Sequence, residues 1–216
     1  MISAKNDKNM KFLQRGRAKQ GGFTIVELIV VILLLGILTA TALPRFLDVT
    51  DEANDAVVEA VLGGLNTGVS LFRAAFIADG EPIANSAIGS FGDGTLRANA
   101  GGYPMGATSD TDGVVDETAD CTEIFNGLLQ SGRPSISAGT DLTDAISSTA
   151  VTTSTTDDFL ALYSSNTDTA GANRVCHYAY TAQYASHSDA VAAGVTVPVI
   201  QYDSGTGLVT RTTSSF

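Results

Sequence analysis

The chain has 216 residues, 44% of them hydrophobic, and 23 acids against 12 Lys and Arg, for a net charge of −11. The length suits one small domain beside a long terminal element. The charge is split. Residues 1–22 hold six Lys or Arg and one acid, whereas residues 23–216 hold six Arg, no Lys and 22 acids, a poor electrostatic match to nucleic acid.

Residues 1–20 are polar and basic, have no apolar period, and read as a processed leader. From Phe23 to Leu43 follow 21 residues in which only Glu27 is charged. As a helix they extend about 31 Å at about 1.5 Å per residue, the thickness of a hydrocarbon core of about 30 Å. The basic block before this span predicts a cytoplasmic N-terminus, with the acidic remainder outside. A lone carboxylate in such a span is a functional candidate by default.

Lys19-Gln20-Gly21-Gly22-Phe23-Thr24-Ile25-Val26-Glu27-Leu28 resembles the prepilin signature of type IV pilins and of the related pseudopilins of type II secretion. The resemblance implies that a prepilin peptidase cuts between Gly22 and Phe23 and methylates the new amine of Phe23. It also implies that Glu27 serves in assembly. The continuation Ala42-Leu43-Pro44-Arg45-Phe46-Leu47-Asp48 is similar to pilins of the mannose-sensitive haemagglutinin (MSHA) type. A secretory signal peptide is the competing reading, because Ala40-Thr41-Ala42 has the A-x-A form. That reading starts the mature chain at Leu43 and leaves Glu27 and Gly21-Gly22-Phe23 unexplained.

The helix is predicted to continue to about Ala78, its second half amphipathic. Phe46, Val49, Ala53, Val57, Ala60, Gly64, Gly68, Phe72 and Phe76 recur at spacings of three and four and mark the expected core face. Asp48, Asp51, Glu52, Asp55 and Glu59 load the opposite side. Gly63, Gly64 and Gly68 each lower helix propensity by about 1 kcal/mol relative to alanine, which close packing on the sheet or on a neighbouring subunit can offset. Asp79-Gly80 and Pro82 stop the helix. Pro44 removes a backbone donor and predicts a kink. By resemblance, Gly36 and Pro44 match the ends of the stretch that melts in assembled pili.

Residues 81–118 read as a long connection, with a short strand at Thr95–Asn99. Asp110, Asp112, Asp116 and Glu117 are spaced closely enough to be weak Ca²⁺ candidates; a solvated acidic loop is the plainer reading. Asp120 is expected to cap a short helix, with Glu123 reaching back. Residues 135–156 hold twelve Ser and Thr and read as a surface loop or mobile segment. Phe159–Tyr163 is short, apolar and ambiguous in type. Arg174–Thr181 places Cys176, Tyr178 and Tyr180 on one strand face. Val195–Asp203 and Leu208–Thr213 form a hairpin around Ser204–Gly207, with Pro198 suited to an edge or a strand start.

Cys121 and Cys176, an isolated pair in an oxidising compartment, are expected to be bonded. Zinc held with His177 and His187 is the weaker alternative.

The order of elements predicts an α+β fold: one long N-terminal helix packed on a C-terminal antiparallel sheet, which is also the pilin fold that the resemblance implies. Three segments are expected: a cleaved leader over 1–22, a transmembrane or filament-core half-helix over 23–43, and a periplasmic or extracellular domain over 44–216. No phosphate loop, G-x-S-x-G, H-E-x-x-H or paired-cysteine motif occurs, so neither an enzyme nor a cofactor is expected. The resemblance implies a structural subunit of a surface filament used in adhesion or motility. Its partners are then its own copies, the prepilin peptidase and the assembly machinery of the inner membrane, where the subunit is held before it becomes extracellular. A type II secretion pseudopilin is the first alternative. A membrane-anchored or secreted binding domain that never polymerises is the second.

Overall fold

A computed structural model of the chain describes residues 22–107, 115, 117–139, 156–166, 173–184 and 196–215. Helix α1 spans Ile25–Ala78. The chain divides into two units, Met1–Asp48 and Val49–Phe216, and each is taken by itself.

In the first unit, the large apolar side chains from Phe23 to Leu43 are all at least 49% exposed. Residues Ile25–Leu43 are long and apolar enough to cross a membrane. A helix apolar on every side needs lipid or protein around it.

In the second unit, α1 buries Val58, Val61, Leu65, Val69, Phe72 and Phe76. The expected core face was right at Gly68, Phe72 and Phe76 and wrong further back, since Val49, Ala53, Val57 and Ala60 are exposed. The reason is geometric. Steps of four overshoot a turn of about 3.6 residues, so the series from Phe76 back to Ala60 drifts by nearly half a turn. The buried series mixes threes and fours, and its 18-residue span from Val58 to Phe76 returns to the same face after about five turns. Helix α1 ends in a Schellman motif: the amide of Gly80 donates to the Ile77 carbonyl at 3.1 Å and that of Glu81 to the Phe76 carbonyl at 3.0 Å. Gly80, at φ +86°, supplies the left-handed residue that this motif needs.

Strands β1 (Ser86–Ala87) and β2 (Arg97–Ala98) pair antiparallel, so the segment read as a connection contains a small ladder. Helix α2 spans Thr118–Leu128 and starts earlier than expected: Glu117 is the N-cap and Asp120 the third helical residue, joined in a reciprocal capping box. Glutamate is not a favoured N-cap, which hid this start. A Cβ on Gly64 would lie 2.7 Å from Leu129 Cδ2, and one on Gly68 would lie 3.0 Å from Leu128 Cβ. These two glycines therefore admit the end of α2 rather than the sheet. A Cβ on Gly63 would meet nothing within 4 Å.

The main sheet has the order β3-β4-β5-β6-β7, with β3 Ile136–Ala138, β4 Phe159–Asn166, β5 Asn173–Tyr180, β6 Thr196–Asp203 and β7 Leu208–Ser215. The sheet is mixed, because β3 runs parallel to β4 while the other pairs are antiparallel. Residues 136–138, read as part of a loop, are strand β3; residues 140–155 of the Ser/Thr-rich segment lie outside the described residues. Strand β6 is interior, yet its pairing with β5 stops at Val199. Pro198 therefore falls beyond that ladder, where its missing N–H removes no bond to β5.

Alternation sorts the sheet into two buried faces. Phe159, Ala161, Tyr163, Cys176, Tyr178, Tyr180, Ile200 and Tyr202 form one core with α2 and the α1 stripe. Leu160, Leu162, His177, Ala179, Val197 and Val199 are buried on the other. The continuous apolar run Phe159–Tyr163 is the signature of a strand covered on both sides. Arg211 on β7 reaches Asp55 at 2.7 Å and Glu59 at 2.6 Å on α1, and Tyr180 donates to Asn54 Oδ1 at 3.0 Å.

His177 lies 2.7 Å from Ser164 Oγ through Nε2 and 3.3 Å from the Gln201 amide through Nδ1. Desolvation lowers its pKa from 6.5 to about 4. The unfolded chain therefore binds the extra proton between those values. Stability is full above about pH 6.5 and falls by on the order of 3 kcal/mol as pH drops to about 4. Urea unfolding at pH 7.5 and pH 4.5 checks this. His177→Gln should lose about 3 kcal/mol less than the wild type across that interval, and equal losses would show that His177 does not govern it.

Candidate processing and assembly segment

The segment begins at Gly22 and Phe23, which precede the first helical residue and are exposed, Phe23 to 92%. A Cβ on Gly22 would meet nothing within 4 Å.

One turn further on, Thr24 and Glu27 close a reciprocal box. The Thr24 amide and hydroxyl each donate to Glu27 Oε2 at 2.9 Å, and the Glu27 amide donates to Thr24 Oγ1 at 3.2 Å. A helix start leaves amides without intrahelical acceptors; here a threonine and a glutamate three residues on satisfy two of them. In the sequence Glu27 stands out by its charge and Thr24 does not, although T-x-x-E before an apolar run is the pattern that finds it. Among the described residues nothing bonds Glu27 Oε1, so the carboxylate can keep its cap and still accept a donor from outside. A carboxylate also suits the positive end of a helix dipole.

Gly36 is open on its outer side, with nothing within 4 Å of an added Cβ. Thr39 Oγ1 donates to the Leu35 carbonyl at 2.7 Å, and Thr41 Oγ1 to the carbonyls of Leu38 at 3.0 Å and Ile37 at 3.3 Å. Such back-bonds weaken the helix ladder locally and favour bending. Three residues beyond Thr41, Pro44 has no amide to offer the Ala40 carbonyl. The stretch from Gly36 to Pro44 is helical here, with its weak points concentrated in two turns.

The other candidates belong to the second unit. Cys121 on α2 and Cys176 on β5 form a disulfide, S–S 1.97 Å, with both residues fully buried. The bond leaves no thiolate for zinc. Tyr178 donates to the Cys121 carbonyl at 2.9 Å, and burial holds its phenol pKa above the usual value, so it stays a neutral donor. Asp110, Asp112, Asp116 and His187 lie outside the described residues, while Glu117 caps α2. Among the described residues no group of three or more His, Cys, Asp or Glu is placed to hold a metal.

Residues 17–43 match the family model of the prokaryotic N-terminal methylation motif. The chain is 47% identical over 55 residues to the type IV narrow pilus major component PilA5 of Thermus thermophilus, covering 26% of this chain and 46% of that protein. It is 35% identical over 83 residues to a fimbrial protein of Moraxella nonliquefaciens, covering 36% and 54%. The chain thus spans about half the length of these two relatives. It is also 31% identical over 108 residues to a fimbrial protein of Pseudomonas aeruginosa, covering 46% of this chain and 67% of that one. No solved structure matches the chain. With a methylation motif at its N-terminus, a long apolar helix leading into an α+β domain, and a pilin relative matched over two thirds of its length, the chain belongs to the type IV pilin-like family.

Proposed function

We propose that this protein is a structural subunit of a type IV pilus-like surface filament. The observation that carries the reading is the exposed apolar helix Ile25–Leu43 with its single acid held at the first turn, inside the matched methylation motif. Residues 1–22 are the leader, residues 23–43 serve in the membrane and then in the filament core, and residues 44–216 form the domain outside the inner membrane. Both surroundings of the half-helix are apolar, so one sequence suits both. Prepilin peptidase hydrolyses the Gly22–Phe23 amide and methylates the freed amine, which remains cationic. That amine and Glu27 of a neighbouring subunit pair in the filament core, fixing the axial register as buried polar pairs can. The assembly machinery draws subunits from an inner-membrane pool, and the weakened turns from Gly36 to Pro44 let the helix open as the filament forms.

The relatives are named as pilus and fimbrial proteins, which favours a pilus over a type II secretion pseudopilus. The likeness of Ala42–Asp48 to MSHA-type pilins narrows the proposal to that kind of pilus.

Intact-mass measurement of the sheared surface fraction is the test. The expected chain starts at Phe23, carries one methyl group and contains one disulfide. A chain starting at Leu43, or no polymer in that fraction, would overturn the reading in favour of a secreted or anchored domain.

A further inference from the structure

None of the residues Val49–Val57 of α1 is buried; the buried stripe starts at Val58. The same stretch is loaded with like charge. Residues 48–59 hold five acids, and residues 46–72 hold no Lys or Arg. Asp48 and Glu52, Asp51 and Asp55, and Asp55 and Glu59 each stand four apart, where like charges on one helix repel. A helix opens cooperatively from a weak point until a tertiary contact stops it. The turns that end at Pro44 are such a point.

Three side chains at the end of this stretch reach the sheet. Asp55 and Glu59 accept from the two terminal nitrogens of Arg211 on β7, at 2.7 and 2.6 Å respectively. The guanidinium fork bridges one turn of α1, and a repelling pair of carboxylates becomes its seat. Asn54 Oδ1 accepts from the hydroxyl of Tyr180, the last residue of β5, at 3.0 Å. These ties hold one turn of α1 to two strands, β5 and β7, that are not neighbours in the sheet. Arg73, the next cation along α1, is committed elsewhere: it donates to the Gly101 carbonyl and stacks on Tyr103. The counter-charge for Asp55 and Glu59 therefore comes from the last strand of the sheet.

We propose that Arg211 and Tyr180 form a clasp that stops opening of α1 from spreading past Asn54 into its buried turns. Closed, the clasp fixes the turn around Val58 and keeps the buried stripe seated while the helix ahead of it unwinds or is drawn out. With Arg211 disengaged, Asp55 and Glu59 repel each other and that turn loses its hold. The two carboxylates are 62% and 55% exposed and the guanidinium 30%, so the clasp weakens as salt screens it. The inference concerns the subunit by itself and stands whether or not subunits polymerise.

Hydrogen–deuterium exchange of the full chain in detergent micelles tests it, read by mass spectrometry on peptides covering residues 49–60 and 61–76. Arg211→Gln is expected to speed exchange over 49–60 roughly fivefold. Exchange over 61–76 should stay as in the wild type, which also shows that the variant is folded. Raising salt from about 0.1 M to about 1 M should speed the wild type over 49–60 by a similar factor and leave the variant unchanged. Wild-type exchange over 49–60 in Arg211→Gln would overturn the clasp, and so would equal speeding over 61–76. A wild type whose exchange over 49–60 ignores salt would overturn it without any variant.

Discussion

Replacing Glu27 with alanine is expected to leave processed subunits in the inner membrane and no filament outside the cell. Two losses occur together in that variant, and their sizes separate them. Opening the Thr24–Glu27 box removes a helix cap, about 1 kcal/mol. Leaving the Phe23 amine of a neighbour buried without its carboxylate costs about 3–5 kcal/mol at each contact. The second loss is incurred at every addition and stops growth. Glu27→Gln isolates it, because glutamine also closes a capping box but carries no charge. Thr24→Ala isolates the cap. Blots of sheared and membrane fractions should find Glu27→Gln as defective as Glu27→Ala, and Thr24→Ala assembling at reduced yield. Normal filaments on Glu27→Gln cells would remove the charge pair from the mechanism. Accumulation of uncleaved precursor would instead place Glu27 at the peptidase.

Opening the Cys121–Cys176 bond should cost the second unit about 4 kcal/mol of stability, the chain-entropy value for a loop of this length. Its position strengthens the expectation. Both cysteines are fully buried, and the bond ties α2 to the interior strand β5. Released from it, α2 still has a polar tie to β5, the Tyr178 hydroxyl on the Cys121 carbonyl. In detergent, Cys121→Ala with Cys176→Ala should melt roughly 10 °C below the oxidised wild type. Reduced wild-type protein should melt near the double variant, which separates the bond from the side-chain change. A difference of only a degree or two between the oxidised and reduced forms would show that packing, rather than the cross-link, holds α2.

Much of this molecule is legible in its residues where the signal is local and one-dimensional. The apolar run to Leu43, the stop at Asp79-Gly80, the alternation of Cys176, Tyr178 and Tyr180, and the Ser204–Gly207 hairpin all need only neighbouring residues. The cysteine pair was legible for a different reason, since no other thiols compete. What failed depended on phase or partnership. Val57 and Val58 are adjacent valines, and which one faces inward is decided by where α2 and the sheet sit. The β3 strand, Ile136–Ala138, is too short to show a period and is defined by its parallel register with Phe159–Ala161. Glu117 was missed because its residue type is a poor N-cap; only the reciprocal bond with Asp120 makes it one. Thr24 was missed for the opposite reason, because the rarity of a charge at Glu27 drew attention away from an ordinary capping pattern.

The disulfide also has a mechanical meaning. Filaments on cell surfaces are pulled, and a domain that unravels under tension lengthens by the contour of the chain it releases. Cys121 and Cys176 are 55 positions apart, and a covalent short-cut between them withholds that whole stretch. At about 3.5 Å per extended residue, roughly 190 Å of slack per subunit stays locked however far the rest of the domain yields. The locked stretch includes β3, β4 and most of α2, so force entering through α1 and leaving through the hairpin of β6 and β7 bypasses them. Under load, the subunit is a short tether with a sealed loop.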